Sequence, residues 1–186
     1  MSDKPKWDSD EAVPVARELI ELLKPYCERI EIAGSLRRQK ERVGDIELLF
    51  IPRFEDRQED MFTTAPVNLA DEKIGQLLRD GVLNKRPSVT GVYTWGSENK
   101  LALHVVSGIP VDLFSTDSER WWVALVIRTG SKETNISLTT GAQKRGARLN
   151  AYGSGVTWSD GTQTRAESER HVFELCGVEY NEPNER

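Results

Sequence analysis

The stretch richest in chemistry is Gly34-Ser35-Leu36-Arg37-Arg38, followed after six residues by Asp45-Ile46-Glu47. Apolar residues lead into Gly34-Ser35, so a strand should stop there and a short helix could follow. Glycine lets a backbone approach a phosphate with no side chain in the way. Amides at a helix start, the Ser35 hydroxyl and an arginine fork then make an anion cradle. Asp45 and Glu47 are two positions apart, so on a strand both carboxylates point to one face. Like charges side by side on an apolar strand are costly unless a cation offsets them. Mg²⁺ is the expected cation, because it takes hard oxygens together with substrate phosphates. Asp112 sits in a second apolar run, Val111-Asp112-Leu113-Phe114, and would add a third carboxylate from a neighbouring strand. Three carboxylates beside a phosphate cradle suit two-metal phosphoryl transfer, one ion activating a hydroxyl and the other holding a triphosphate.

These groups need strands and helices to hold them. Cap-type residues at Asp8 to Asp10 precede Ala12, Val15, Ala16, Leu19, Ile20 and Leu23 at helical spacing, which predicts a helix over 9–27. Alternation predicts strands over 29–33 and 45–51. In the second, Ile46, Leu48 and Phe50 face one way and Asp45, Glu47 and Leu49 the other. The charged stretch 53–67 reads as a loop and 68–78 as a helix. A hairpin is expected from 101–106 and 109–114 around Ser107-Gly108. Beyond Ser115 the texture changes. Helices are expected over 119–128, with Trp122, Leu125 and Val126 inward, and over 132–144. Short strands over 149–158 and 163–165 and a helix over 167–176 complete the chain. The boundary near Thr116 to Ser118 divides it into units 1–117 and 118–186.

Composition narrows the classes. With 186 residues, 38% of them apolar and 30% charged, the chain has a globular composition. No apolar run is long enough for a membrane span, and Met1-Ser2-Asp3-Lys4-Pro5-Lys6 has no apolar leader region. Cys27 and Cys176 supply no disulfide framework, and His104 and His171 no histidine-based metal site, which fits the reducing cytoplasm. Net charge is -5, distributed as -3 over 1–33, +2 over 34–150 and -4 over 151–186. The acidic ends argue against a sequence-blind grip on nucleic acid, while the middle leaves room for a local basic site. Lys132, Lys144, Arg145 and Arg148 are either a polar face or phosphate contacts.

The pattern Gly34-Ser35, Gly44-Asp45-Ile46-Glu47 and the later lone Asp112 resembles the nucleotidyltransferase superfamily of DNA polymerase beta. The closer resemblance is to family X DNA polymerases. It extends through Gly34-Ser35-Leu36-Arg37-Arg38, Pro110-Val111-Asp112-Leu113-Phe114, Thr129-Gly130-Ser131, Asn135 and Leu149-Asn150-Ala151-Tyr152-Gly153. Ser168-Glu169, Val172-Phe173 and Glu182-Pro183-Asn184-Glu185-Arg186 carry it to the end of the chain. The resemblance implies an α+β fold: a nucleotidyltransferase palm with a mixed β-sheet and flanking helices, then a small α+β thumb. Residues from about 10 onward are covered, as in the minimal palm-plus-thumb viral and phage type. The implied activity is template-directed DNA synthesis from a primer 3′-hydroxyl in short, repair-type gaps.

In that family the matching residues have roles, which the resemblance implies here. Asp45, Glu47 and Asp112 would be catalytic and bind two Mg²⁺ (or Mn²⁺) ions, Asp112 serving the ion at the primer hydroxyl. Ser35 and Arg38 would hold the β- and γ-phosphates. Gly34, Gly44, Thr129, Gly130 and Asn135 would complete the nucleotide site. Apart from the resemblance, Lys132, Lys144, Arg145 and Arg148 stay the candidates for DNA phosphate contacts on charge alone. The implied partners are a nucleoside triphosphate and primer/template or gapped DNA, with no membrane. A monomer in the cytoplasm of a bacterial or phage-infected cell is expected. The chain departs from the family at Glu47, where polymerases usually carry Asp, at Ile127-Arg128, which replaces a Tyr-Phe pair, and at Phe114, which replaces a charged residue. Alternative acceptors are RNA, a protein hydroxyl or a small molecule, and a non-catalytic nucleotide-binding module is the third alternative.

Overall fold

The computed structural model describes residues 6–58 and 63–186. Residues 1–5, read above for a leader, and 59–62 of the expected loop lie outside the described residues. Strand β1 (Trp7–Asp8) leads straight into α1 (Ser9–Leu23). The Asp8 N–H donates to Glu11 Oε2 at 3.3 Å and closes the first turn. Ala12, Val15, Ala16, Leu19 and Leu23 are buried along one helical face. The helix stops at Leu23, four residues short of expectation. Pro25 has no amide hydrogen for the helix ladder, and a tight turn at Lys24–Tyr26 turns the chain into β2 (Cys27–Ile32).

The short helix expected after Gly34 is α2 (Gly34–Arg37), and β3 (Arg42–Val43) pairs back onto β1. Next come β4 (Ile46–Pro52), β5 (Phe54–Gln58) and β6 (Thr64–Asn68). The last two correct the expected loop: they form an antiparallel hairpin with Phe54 opposite Asn68. Every residue of β5 is exposed, so no apolar alternation announced it. Arg57 braces it through ion pairs to Glu55 at 3.0 Å and Glu72 at 2.7 Å. Asn68 caps α3 (Leu69–Arg79), and β7 (Leu83–Lys85), β8 (Asn99–His104) and β9 (Pro110–Ser115) complete the first unit.

The main sheet has five strands in the order β2-β4-β9-β8-β7. Only β4 and β9 run parallel, which makes the sheet mixed. Its two faces differ because side chains alternate. Ile46, Leu48, Phe50, Val111 and Leu113 pack with α1 and α3 in the principal core. Leu49, Ile51 and Phe114 belong to the opposite face.

The second unit comprises α4 (Trp121–Thr129), α5 (Lys132–Lys144), β10 (Ala147–Leu149), β11 (Gly155–Trp158), β12 (Gln163–Arg165) and α6 (Glu169–Cys176). Asp117 Oδ1 accepts from the N–H groups of Glu119 at 3.0 Å and Arg120 at 2.9 Å, so α4 begins two residues later than expected. Trp121, not Trp122, is the buried tryptophan, and it fills a cluster with Leu49, Ile51, Phe114 and Leu125. Trp122 stays half-buried; both rings flank the Arg29 guanidinium, at 4.3 and 4.7 Å. Val123, Val126, Leu138, Ala142, Val172 and Phe173 form a separate core within this unit. The fold is therefore α+β, a mixed sheet with helices joined to a smaller α+β unit.

Candidate active site

Parallel pairing of β4 with β9 sets Glu47 directly beside Asp112, on the face opposite the principal core. Asp45 precedes β4 with the same parity. Burial pushes the Glu47 carboxyl up to about 8, and the charges of Asp45 and Asp112 push the same way against Arg128 and Arg38. Burial also raises Asp112; Arg86 opposes this and Asp45 adds to it. Arg86 Nη2 donates to Asp112 Oδ1, while its Nε donates to the Ala102 carbonyl at 3.0 Å.

Among the described residues, no three His, Cys, Asp or Glu side chains are gathered as a ready-made metal shell. The donor chemistry of the three carboxylates nevertheless fits a hard divalent cation. Their oxygens are of the right kind, and their repulsion adds to burial in holding a proton on Glu47. A cation would relieve that repulsion and compete with Arg86 for Asp112.

The phosphate-cradle candidates lie against this face. Gly34 has φ +63°, and a Cβ there would collide with the Glu47 carboxylate. Glycine is thus needed at Gly34 both for its conformation and for its space. Gly44 is different: no atom lies within 4 Å of where its Cβ would be. Ser35 is half-buried in α2. Arg38 Nη1 donates to the Thr129 carbonyl, and a Cβ on Gly130 would stand 3.1 Å from the same nitrogen. Arg37 Nη1 donates to Thr129 Oγ1 at 2.9 Å and pairs with Glu169 Oε1 at 2.6 Å. Glu169 Oε2 in turn takes Arg186 Nη2 at 3.3 Å. Gly34, Arg38, Thr129 and Gly130, distant in sequence, are thereby brought together beside Glu47.

Other predicted residues fare differently. Asn135 Nδ2 donates to the Ile127 carbonyl at 2.9 Å, so it secures the end of α4. Lys132, Lys144 and Arg148 are exposed. Arg145 donates to the Glu174 carbonyl at 2.6 Å and packs against Gly177, which makes it a brace between α5 and α6. The sequence reading missed Arg86, Arg37 as a cross-unit contact, and Arg128. The Arg128 guanidinium lies 3.7 Å from the Phe114 ring centroid. The departures at Phe114 and Arg128 were the only signal of that contact.

Residues 124–186, about a third of the chain, match the family model of the DNA polymerase beta thumb. The match relates the second unit to that thumb and stops short of α2 and all three carboxylates. No curated protein matches the chain. Among the described residues, no helix is long and apolar enough to cross a membrane.

Proposed function

We propose that the protein is a metal-dependent nucleotidyltransferase, a small template-directed DNA polymerase of family X that extends a primer 3′-hydroxyl in short gaps. One observation carries this: Arg38 of α2 reaches the Thr129–Gly130 turn of the thumb-matching unit, beside Glu47. A candidate phosphate cradle and three carboxylates of one strand parity, beside a thumb-matching unit, support phosphoryl transfer.

Asp45, Glu47 and Asp112 would hold Mg²⁺ or Mn²⁺, two ions per site. Those ions supply charge neutralisation on the triphosphate and a lower pKa for the attacking hydroxyl. Ser35 and Arg38 bind the β- and γ-phosphates. Arg38 Nε is buried with no hydrogen-bond partner, so the fork has a donor left for a phosphate oxygen. Gly130 lets the sugar approach the backbone, and Asn135 meets the nucleotide once it releases Ile127. Lys132, Lys144, Arg145 and Arg148 offer charge to the DNA backbone. Closure of the second unit over the nucleotide excludes water and aligns the attack.

A second acceptor class is favoured by the acidic ends, -3 over 1–33 and -4 over 151–186, which weaken a grip on DNA. RNA, a protein hydroxyl or a small molecule would then receive the nucleotide. The deciding assay supplies Mg²⁺ or Mn²⁺, labelled dNTPs and NTPs, and one-nucleotide-gapped DNA. Templated extension is expected, and Asp112→Ala should lower it by about a hundredfold or more, the scale of losing several kcal/mol of charge stabilisation. No extension with either metal, while a triphosphate still binds, would reject the polymerase and leave the other acceptors.

A further inference from the structure

The face that carries Glu47 and Asp112 also carries a pocket of about 300 Å³. Leu49 and Phe114 line it, paired in the same register two residues beyond Glu47 and Asp112. At the rise of a strand this puts the pocket roughly 6–7 Å along from the carboxylates. Ala124 and Arg128, one turn apart on α4, form a wall, and the exposed Tyr152 ring lies at the rim. At the far end Arg120 and Glu98 neutralise each other through a 2.8 Å ion pair.

Arg128 has no such direct pair, although its charge is felt by Glu47 and Asp112. Among the described residues its guanidinium makes no hydrogen bond or ion pair. It lies over the Phe114 ring. A guanidinium presents five donors, and a cation over a ring leaves them all free in its own plane. It is half-buried, so it is partly stripped of water while keeping access to the pocket. Apolar floor, aromatic rim and a guanidinium with free donors are the chemistry of a base beside a phosphate. The volume is at the low end for ligand sites, enough for one nucleotide unit and far too little for a duplex.

We propose that this pocket seats the terminal nucleotide of the acceptor strand, with its base on the apolar floor below Tyr152 and its phosphate on Arg128. The assignment of the occupant as the acceptor end rests on the nucleotidyl transfer proposed above; the nucleotide chemistry of the pocket does not. Glu47 and Asp112 would repel an anion here, so binding strengthens once a divalent cation neutralises them.

The test is calorimetric titration of the full chain in Mg²⁺ with deoxyadenosine 5′-monophosphate and with deoxyadenosine. Wild type should prefer the monophosphate by about tenfold or more, the usual scale of a charged hydrogen bond. Arg128→Gln should abolish that preference and leave nucleoside binding in place. Ala124→Phe, which fills the pocket without touching charge, should weaken both ligands. The thermal shift given by a triphosphate should survive in both variants, which also shows that they fold. A monophosphate preference that persists in Arg128→Gln, or an affinity for both ligands that is unaffected by Ala124→Phe, would overturn the assignment, as would a wild type that binds neither ligand. If wild type shows no triphosphate shift but keeps an Arg128-dependent monophosphate preference, the transfer function fails and the nucleotide pocket stands.

Discussion

Glu47 carries the largest electrostatic burden in the candidate site. Its folded-state pKa is about 8 against an ordinary 4.5, raised by burial first and by Asp45 and Asp112 second. Between those values the unfolded chain binds fewer protons than the folded one. Stability is then complete below about pH 4.5 and is lost as the pH climbs to about 8. The loss should be on the order of a few kcal/mol. Urea unfolding in chelator at pH 5.5 and pH 8 will show it as a falling midpoint in wild type, and Glu47→Gln should flatten the dependence. An equally steep fall in the variant would place the pH sensitivity elsewhere. Added Mg²⁺ should restore wild type most at pH 8, where the carboxylates are charged.

At the level of elements, α2 is the part with least tolerance. It begins at Gly34 with φ +63°, under the Glu47 carboxylate, and its last turn feeds Arg37 and Arg38 into the second unit. Gly34→Ala should cost about 1–3 kcal/mol through backbone strain alone, with the collision against Glu47 added. It should also lose the thermal shift produced by a triphosphate with Mg²⁺. Gly44→Ala is the matched control, since a Cβ there meets nothing within 4 Å. Equal melting temperatures for the two variants would contradict the packing around Gly34. The α5 surface divides in the same way. Lys132→Ala and Lys144→Ala should each flatten the salt dependence of gapped-DNA binding by about one phosphate contact. Arg145→Ala should act mainly on stability, because its guanidinium is spent on the Glu174 carbonyl.

Over the whole molecule, two units with separate cores meet through a third cluster. Trp121 is its largest member, 2% exposed against Leu49, Ile51, Phe114 and Leu125. Trp121→Ala should cost about 3–5 kcal/mol and leave each unit's own core intact. The expected result in calorimetry is a single transition in wild type that splits into two in the variant. One sharp transition at a lower temperature would mean that the two units unfold together regardless of this cluster. The Arg37–Glu169–Arg186 chain is a second tie between the units, and Glu169 is 8% exposed, so the charge at its centre is poorly hydrated.

Much of this was legible in the chain before any fold was known. Strand alternation put Asp45, Glu47 and Leu49 on one face and Ile46, Leu48 and Phe50 on the other. Apolar spacing located α1, with its cap residues, and α3, and helices were expected within a few residues of α5 and α6. The short helix after Gly34 followed from the glycine break. These are local properties, set by a period of two or 3.6 residues along the backbone itself. What only the tertiary structure decided was non-local. Glu47 faces Asp112 because β4 and β9 happen to be parallel neighbours in that register. Arg86 reaches Asp112 only because β7, β8 and β9 follow one another across the sheet. Trp121 rather than Trp122 turned inward because α4 packs on the face behind Leu49 and Phe114. The wholly exposed β5 had no apolar period to reveal it, since its pairing with β6 uses backbone groups that every residue carries.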